Sequence, residues 1–195
     1  MDKIITFVTG NDTKVKIANE ALKEFGYSVI AERANIIEPR EEEPEMVVIE
    51  KAVQAFEKLK KPLIVEDSGI FIKSLNGFPK TFVHFAIDTI GVSGIIKLME
   101  NVSDRSVQFR QSLAYIEPGM NSPKIFSYID GGFTVADKVW EDKSAVSADF
   151  DKILIPPGQF KPLITFPQEW RAKRDTEDNR EKIHYHQLAH WLDSR

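Results

Sequence analysis

The sequence has 195 residues, of which 42% are hydrophobic, 29% charged and 10% aromatic, the profile of one globular domain and not of a tail or a fibre. Lys and Arg total 26 against 30 for Asp and Glu, so the net charge of −4 excludes a broad basic field for holding duplex DNA or RNA. Cysteine is absent, which excludes disulfides, Cys-based zinc sites and thiol nucleophiles and predicts a reducing, cytoplasmic setting.

The first apolar run, Ile4 to Val8, is β-rich and too short for a signal peptide. No stretch approaches the roughly 20 apolar residues that span a bilayer, so a soluble protein without a membrane partner is expected. Thr9-Gly10-Asn11-Asp12 follows, and then Val15, Ile17, Ala18, Ala21, Leu22 and Phe25 recur at helical spacing until Gly26. This predicts strand, loop and helix. Tyr27 to Ala31 predicts a second strand, and Ile36-Ile37 leads into the acidic stretch Glu38 to Glu45. Pro44 opens an amphipathic helix through Val47, Val48, Lys51, Ala52, Ala55, Phe56 and Leu59, stopped near Lys60-Lys61-Pro62.

Leu63-Ile64-Val65 is expected to form a short strand ending in Glu66-Asp67-Ser68-Gly69, with a turn at Asn76-Gly77-Phe78-Pro79 further on. From about Thr81 to Met99 the apolar period is helical, divided by Gly91 and Gly94. Val107 to Ile116, Lys124 to Tyr128 and Phe133 to Ala136 read as strands, with turns at Pro118-Gly119 and Gly131-Gly132. Ile153 to Ile155 is a last short strand, and about Thr176 to Leu192 a closing helix.

Three places can carry chemistry. In Thr9-Gly10-Asn11-Asp12-Thr13-Lys14, either the helix N-terminus and Lys14 bind an anion, or Asn11 or Asp12 merely caps the helix with Lys14 in solvent. Glu66-Asp67-Ser68-Gly69 is either a surface turn or a carboxylate pair at a strand end. Successive strand residues face opposite sides, so both carboxylates reach one ligand only if the strand breaks there. Glu41, Glu42, Glu43 and Glu45 either complement the helix dipole or include a metal ligand. A lysine loop with separated carboxylates has the composition for Mg²⁺-assisted phosphoryl chemistry. His184, His186 and His190 fall on the closing helix, where a zinc site competes with surface or base-contact roles. Trp140, Trp170 and Trp191 are read as packing residues.

The order of motifs resembles the inosine triphosphate pyrophosphatase family nearly end to end. Thr9, Gly10, Asn11 and Lys14 match its Thr-Gly-Asn-x-x-Lys loop, Glu43-Pro44 its Glu-Pro, and Glu66-Asp67-Ser68-Gly69 its Glu-Asp-Ser/Thr-Gly. Leu75 to Pro79 match its Leu-x-Gly-x-Pro turn. Phe126 with Gly132 is similar to its Phe-x-Gly-x-x-x-Gly, with Tyr128 in place of the first Gly. Phe150-Asp151-Lys152-Ile153 with Pro156 and Gly158 is similar to its Tyr-Asp-Pro-Ile-Phe-x-Pro-x-Gly.

The resemblance implies an α/β fold, a long twisted mixed sheet with flanking helices forming two lobes around a central cleft. The whole of 1–195 would be a single domain, its lobes sharing that sheet, usually as a homodimer. It implies a Mg²⁺-dependent nucleoside triphosphate pyrophosphatase, with Mn²⁺ as a substitute, acting on an aberrant purine such as ITP, dITP or XTP. Asp67 would activate water, Glu43, Glu66 and Asp67 would hold the metal, and Lys14 would offset charge on the leaving pyrophosphate. Thr9, Asn11, Lys14, Lys51, Ser68, Gly69, Phe150, Asp151, Arg180, His184 and His186 would bind substrate. Departures gather at base recognition: Ala148 stands where the family has its stacking aromatic, and the closing Ser-His-Arg falls on His184-Tyr185-His186. Ile17 replaces the acidic residue three after the loop lysine. Two other readings fit those departures: the same hydrolysis on a modified or ordinary nucleotide, or a sensor that binds without hydrolysis.

Overall fold

The first strand, β1 (Lys3–Val8), is buried from Ile5 to Val8 because it has parallel neighbours on both edges. A computed structural model describes residues 3–141, 149–174 and 183–195 of the chain. Helix α1 (Asp12–Lys23) turns Ala18, Ala21 and Leu22 inward. Gly26, at φ +75°, permits the return into β2 (Tyr27–Glu32), which runs parallel to β1 with Val8 opposite Glu32. The amide of Asn19 fixes α1 to β2 by bonding both backbone groups of Val29 at 2.7 Å.

Helix α2 (Pro44–Leu59) starts on Pro44, whose missing N–H costs nothing in a first turn, and ends at Lys60 in the left-handed region. Strand β3 (Leu63–Ile72) lies parallel to β1, with Thr6 opposite Leu63. It is followed by β4 (Pro79–Lys80), α3 (Val83–Thr89), α4 (Gly91–Leu98), β5 (Ser106–Ile116), β6 (Lys124–Val135), β7 (Leu154–Ile155), α5 (Gln168–Lys173) and α6 (His184–Asp193). The seven strands form one mixed sheet in the order β2-β1-β3-β5-β6-β7, with β4 antiparallel to β3. The expected mixed α/β sheet flanked by helices is what the chain forms.

By contacts the chain divides into two compact units. The first comprises Met1–Ser68, Gln111–Tyr128 and Arg180–Arg195, and the second Gly69–Arg110 and Ile129–Asn179. In the first, one core gathers Phe7, Leu22, Val29, Leu113 and Leu188, and another gathers Val48, Ala52, Leu63, Val65 and Ala114. In the second, Ile72, Ile95, Met99, Phe133, Phe150 and Leu154 share a core. Trp191 packs edge-on against Tyr115 and Phe126, and Trp170 stacks on Phe166.

Three expectations need correction. The strand expected to stop at Val65 continues through Glu66-Asp67-Ser68-Gly69 to Ile72, because β4 pairs with Ile70 and Phe71. Gly131-Gly132 is no turn but lies within β6, with Gly132 at φ +83° and the flanking Phe133 and Val135 buried. Gly91, at φ +64°, does divide α3 from α4, whereas Gly94 lies inside α4, where a Cβ would stand 2.7 Å from that of Ile90. The described part of the closing helix begins at His184. Ala148 and Arg180 lie outside the described residues.

Candidate active site

The loop between β1 and α1 is built from its own side chains. Thr9 Oγ1 accepts the Asn11 N–H at 3.1 Å, and Asn11 Oδ1 accepts the N–H groups of Thr13 and Lys14 at 3.0 and 3.3 Å. Asn11 is therefore the cap of α1. Lys14 is not left in solvent, since its Nζ lies 3.1 Å from Glu66 Oε1. A cation and the positive end of a helix thus meet at this loop. Sequence reasoning missed Arg33, whose Nε is 3.9 Å from where a Cβ on Gly10 would stand. Its signal was available in principle, as a cation one residue past the strand that pairs with β1.

Because β3 is unbroken, Glu66 and Asp67 project to opposite faces and find different partners. Glu66, 6% exposed in its side chain, takes Lys14 on Oε1 and the Tyr185 hydroxyl on Oε2, with His184 Nε2 at 3.9 Å. Burial alone would raise its carboxyl, but His184, the Lys14 ammonium and the Tyr185 hydroxyl outweigh burial and lower it to about 2. At 3.9 Å the imidazole nitrogen stands beyond hydrogen-bond distance of that oxygen. Neither ring nitrogen of His184, which is 1% exposed, has a hydrogen-bond partner among the described residues.

Asp67 faces Lys51, with Nζ to Oδ1 at 3.6 Å, and the same ammonium bonds Glu38 Oε1 at 2.9 Å. Burial lifts the Asp67 carboxyl above the usual aspartate range; Lys51 opposes the shift and the Glu38 carboxylate adds to it. A carboxylate raised in this way is a stronger base than a free aspartate, which suits it to accept a proton. Glu38 was not singled out in the acidic stretch, where attention fell on Glu43; only the fold brings it to Lys51.

Glu43 is the N-cap of α2, is exposed, and makes no side-chain cap bond. Glu45 accepts a hydrogen bond from Ser127 Oγ at 2.6 Å, tying the start of α2 to β6. No cluster of three His, Asp or Glu side chains among the described residues forms a ready metal cage. Both oxygens of Glu66 are engaged by protein groups, Lys14 on Oε1 and the Tyr185 hydroxyl on Oε2. Asp67 with Glu38 beside it leaves an oxygen-only donor set, which fits a hard cation held by one or two carboxylates plus phosphate oxygens.

In the first unit, contacts join Lys14 and His184 to Glu66 and Lys51 to Asp67, Thr9 and Asn11 shape the loop that carries Lys14, Ser68 is exposed on β3, and His186 is buried on α6. Phe150 and Asp151 belong to the second, where the Phe150 ring is 3% exposed and packs in the core. Gly69 is required by packing, since a Cβ there would stand 2.7 Å from the Lys80 carbonyl oxygen.

Residues 5–177 match the Ham1 family. The dITP/XTP pyrophosphatase of Hyperthermus butylicus is 30% identical over 190 residues, covering 97% of this chain and 95% of that protein. The protein of the same name from Methanopyrus kandleri is 34% identical over 169 residues, 87% of each chain, and that from Methanosarcina acetivorans 40% over 126 residues, 65% of this chain and 67% of the other. Among solved structures, the Ham1 protein of Staphylococcus aureus superposes with a TM-score of 0.79 at 22% identity over 98% of this chain and 99% of its own. The HAM1 protein of Coxiella burnetii gives 0.81 at 20% identity over 99% of this chain and 100% of its own. The motif order, the mixed sheet and these likenesses agree, and the chain belongs to the Ham1 family.

Proposed function

We propose that this chain hydrolyses deaminated purine nucleoside triphosphates, of which dITP and XTP are the type, to the monophosphate and pyrophosphate. The observation that carries it is the pairing on adjacent positions of β3: Glu66 anchors the loop cation Lys14, and Asp67, raised by burial, stands beside Lys51. The relatives named dITP/XTP pyrophosphatase support the substrate class.

In the proposed chemistry, Asp67 accepts a proton from a water whose oxygen attacks the α-phosphorus. The α–β bridging P–O bond breaks and pyrophosphate leaves with the bridging oxygen. Lys14, Asn11, Thr9 and the N–H groups at the start of α1 hold the phosphates, and Lys14 offsets charge on the departing group. Lys51 holds Asp67 in place and counters phosphate charge. A divalent cation, Mg²⁺ with Mn²⁺ as a substitute, would be held by Glu43, Glu66 and Asp67, with Glu38 beside them as a further oxygen donor, and would neutralise the developing charge on phosphate oxygens. His184 and His186 are assigned to the base side. Ser68, Gly69, Phe150, Asp151 and Arg180 are the remaining substrate contacts in this reading.

The same reading includes a small-molecule nucleotide as the partner, a single functional domain, a homodimer and a cytoplasmic setting. Among the described residues, no helix is long and apolar enough to cross a membrane. The test is incubation with dITP, XTP, ITP and the ordinary triphosphates plus Mg²⁺, followed by product analysis. Pyrophosphate and monophosphate from the deaminated purines are expected. Orthophosphate as the product, or binding without any product, would overturn the assignment, the latter in favour of a sensor.

A further inference from the structure

Tyr185 stands in the first turn of α6, where the sequence suggested a residue facing the base, yet it reaches in another direction. Its ring is 3% exposed, meets Phe7 of β1 edge-on at 6.2 Å, and its hydroxyl donates to Glu66 Oε2. The other oxygen, Oε1, is the one that holds Lys14 Nζ at 3.1 Å. A carboxylate bound at one oxygen cannot rotate freely, so the direction in which it presents the second is fixed. A lysine has four rotatable bonds and keeps one geometry only against a fixed partner. Three elements far apart in the chain, α6, β3 and α1, therefore form one relay: Tyr185 to Glu66 to Lys14.

We propose that Tyr185 is a positioning residue for nucleotide binding, its hydroxyl locking the Glu66 carboxylate so that Lys14 is held at the phosphate loop. This rests on the hydrolase assignment above and adds to it a residue whose effect travels through two others. Tyr185 acts through Glu66 and Lys14, and its task is to keep a cation where the triphosphate arrives. Pre-organisation of that kind strengthens binding without new contacts.

The test is a double-mutant cycle on pyrophosphate release from dITP, with Tyr185→Phe made in the wild type and in Lys14→Met. Phenylalanine keeps the ring packed against Phe7 and removes only the hydroxyl. In the wild-type background KM should rise about tenfold with kcat changed by less than about twofold, and in Lys14→Met the same substitution should change neither. Glu66→Gln, which retains an acceptor for Tyr185 but loses the charge that attracts Lys14, should reproduce the rise in KM. It also serves as the second arm of the cycle if Tyr185→Phe does not fold. An unchanged KM in Tyr185→Phe, or an equal change in both backgrounds, overturns the proposal while an active wild type leaves the hydrolase assignment standing. A wild type that cleaves no triphosphate overturns both.

Discussion

Replacing Glu66 by glutamine should remove a defined part of the protein's acid sensitivity. The carboxyl is held down to about 2 in the folded chain against an ordinary value of 4.5. A carboxylate lowered on folding adds stability that is complete above its unfolded value and is lost as pH falls through the folded one. The gap corresponds to at most about 3 kcal/mol, and because Glu66 is 6% exposed little of it is screened by water. Lys14, 29% exposed, is the better solvated partner and brings the figure toward the lower part of that range. Between pH 6 and pH 3 the wild type should lose about 2 kcal/mol that Glu66→Gln does not lose. Urea unfolding of both proteins at a series of pH values isolates this share, since every other titrating group is common to the two and cancels in the difference. A difference between wild type and variant that stays flat across that range would refute the claim that Glu66 is ionised and paired in the folded state.

Other outcomes follow from the same geometry. Asp67→Asn preserves shape and removes the proton acceptor, so turnover should fall by about 10²–10⁴-fold with an unchanged circular dichroism spectrum; wild-type pyrophosphate release from it would remove Asp67 from the mechanism. Lys51→Met takes away the charge that lowers Asp67, so the acid limb of the kcat/KM profile should move to higher pH, and a shift to lower pH would contradict the pairing. Gly69→Ala forces a methyl to within 2.7 Å of the Lys80 carbonyl oxygen, which should destabilise the protein by about 1–3 kcal/mol, read as a melting temperature lower by several degrees.

Much of the fold is legible in the chain because its signals are local. Asn11 caps α1 through groups two and three residues away, Pro44 marks the start of α2, and Gly91 with its positive φ divides α3 from α4. The loop after β1 and the Glu-Asp pair carry residue types and an order that suit phosphoryl chemistry. Misreadings occurred where a distant strand overrode local composition. Ser68-Gly69 and Gly131-Gly132 have the make-up of turns, yet pairing with β4 and burial of Phe133 and Val135 keep both stretches extended.

Element order, the acidic and cysteine-free character, and the set of candidate side chains follow from the amino-acid chain alone. Which partners each carboxylate meets is settled by the tertiary fold. An unbroken β3 sends Glu66 and Asp67 to opposite faces, and their environments then separate them: His184, Lys14 and Tyr185, the last 119 positions along the chain, draw Glu66 down, while burial lifts Asp67. Such partners are invisible to spacing and periodicity, because a charge responds to what lies within a few ångströms in space and not to what lies nearby in the chain.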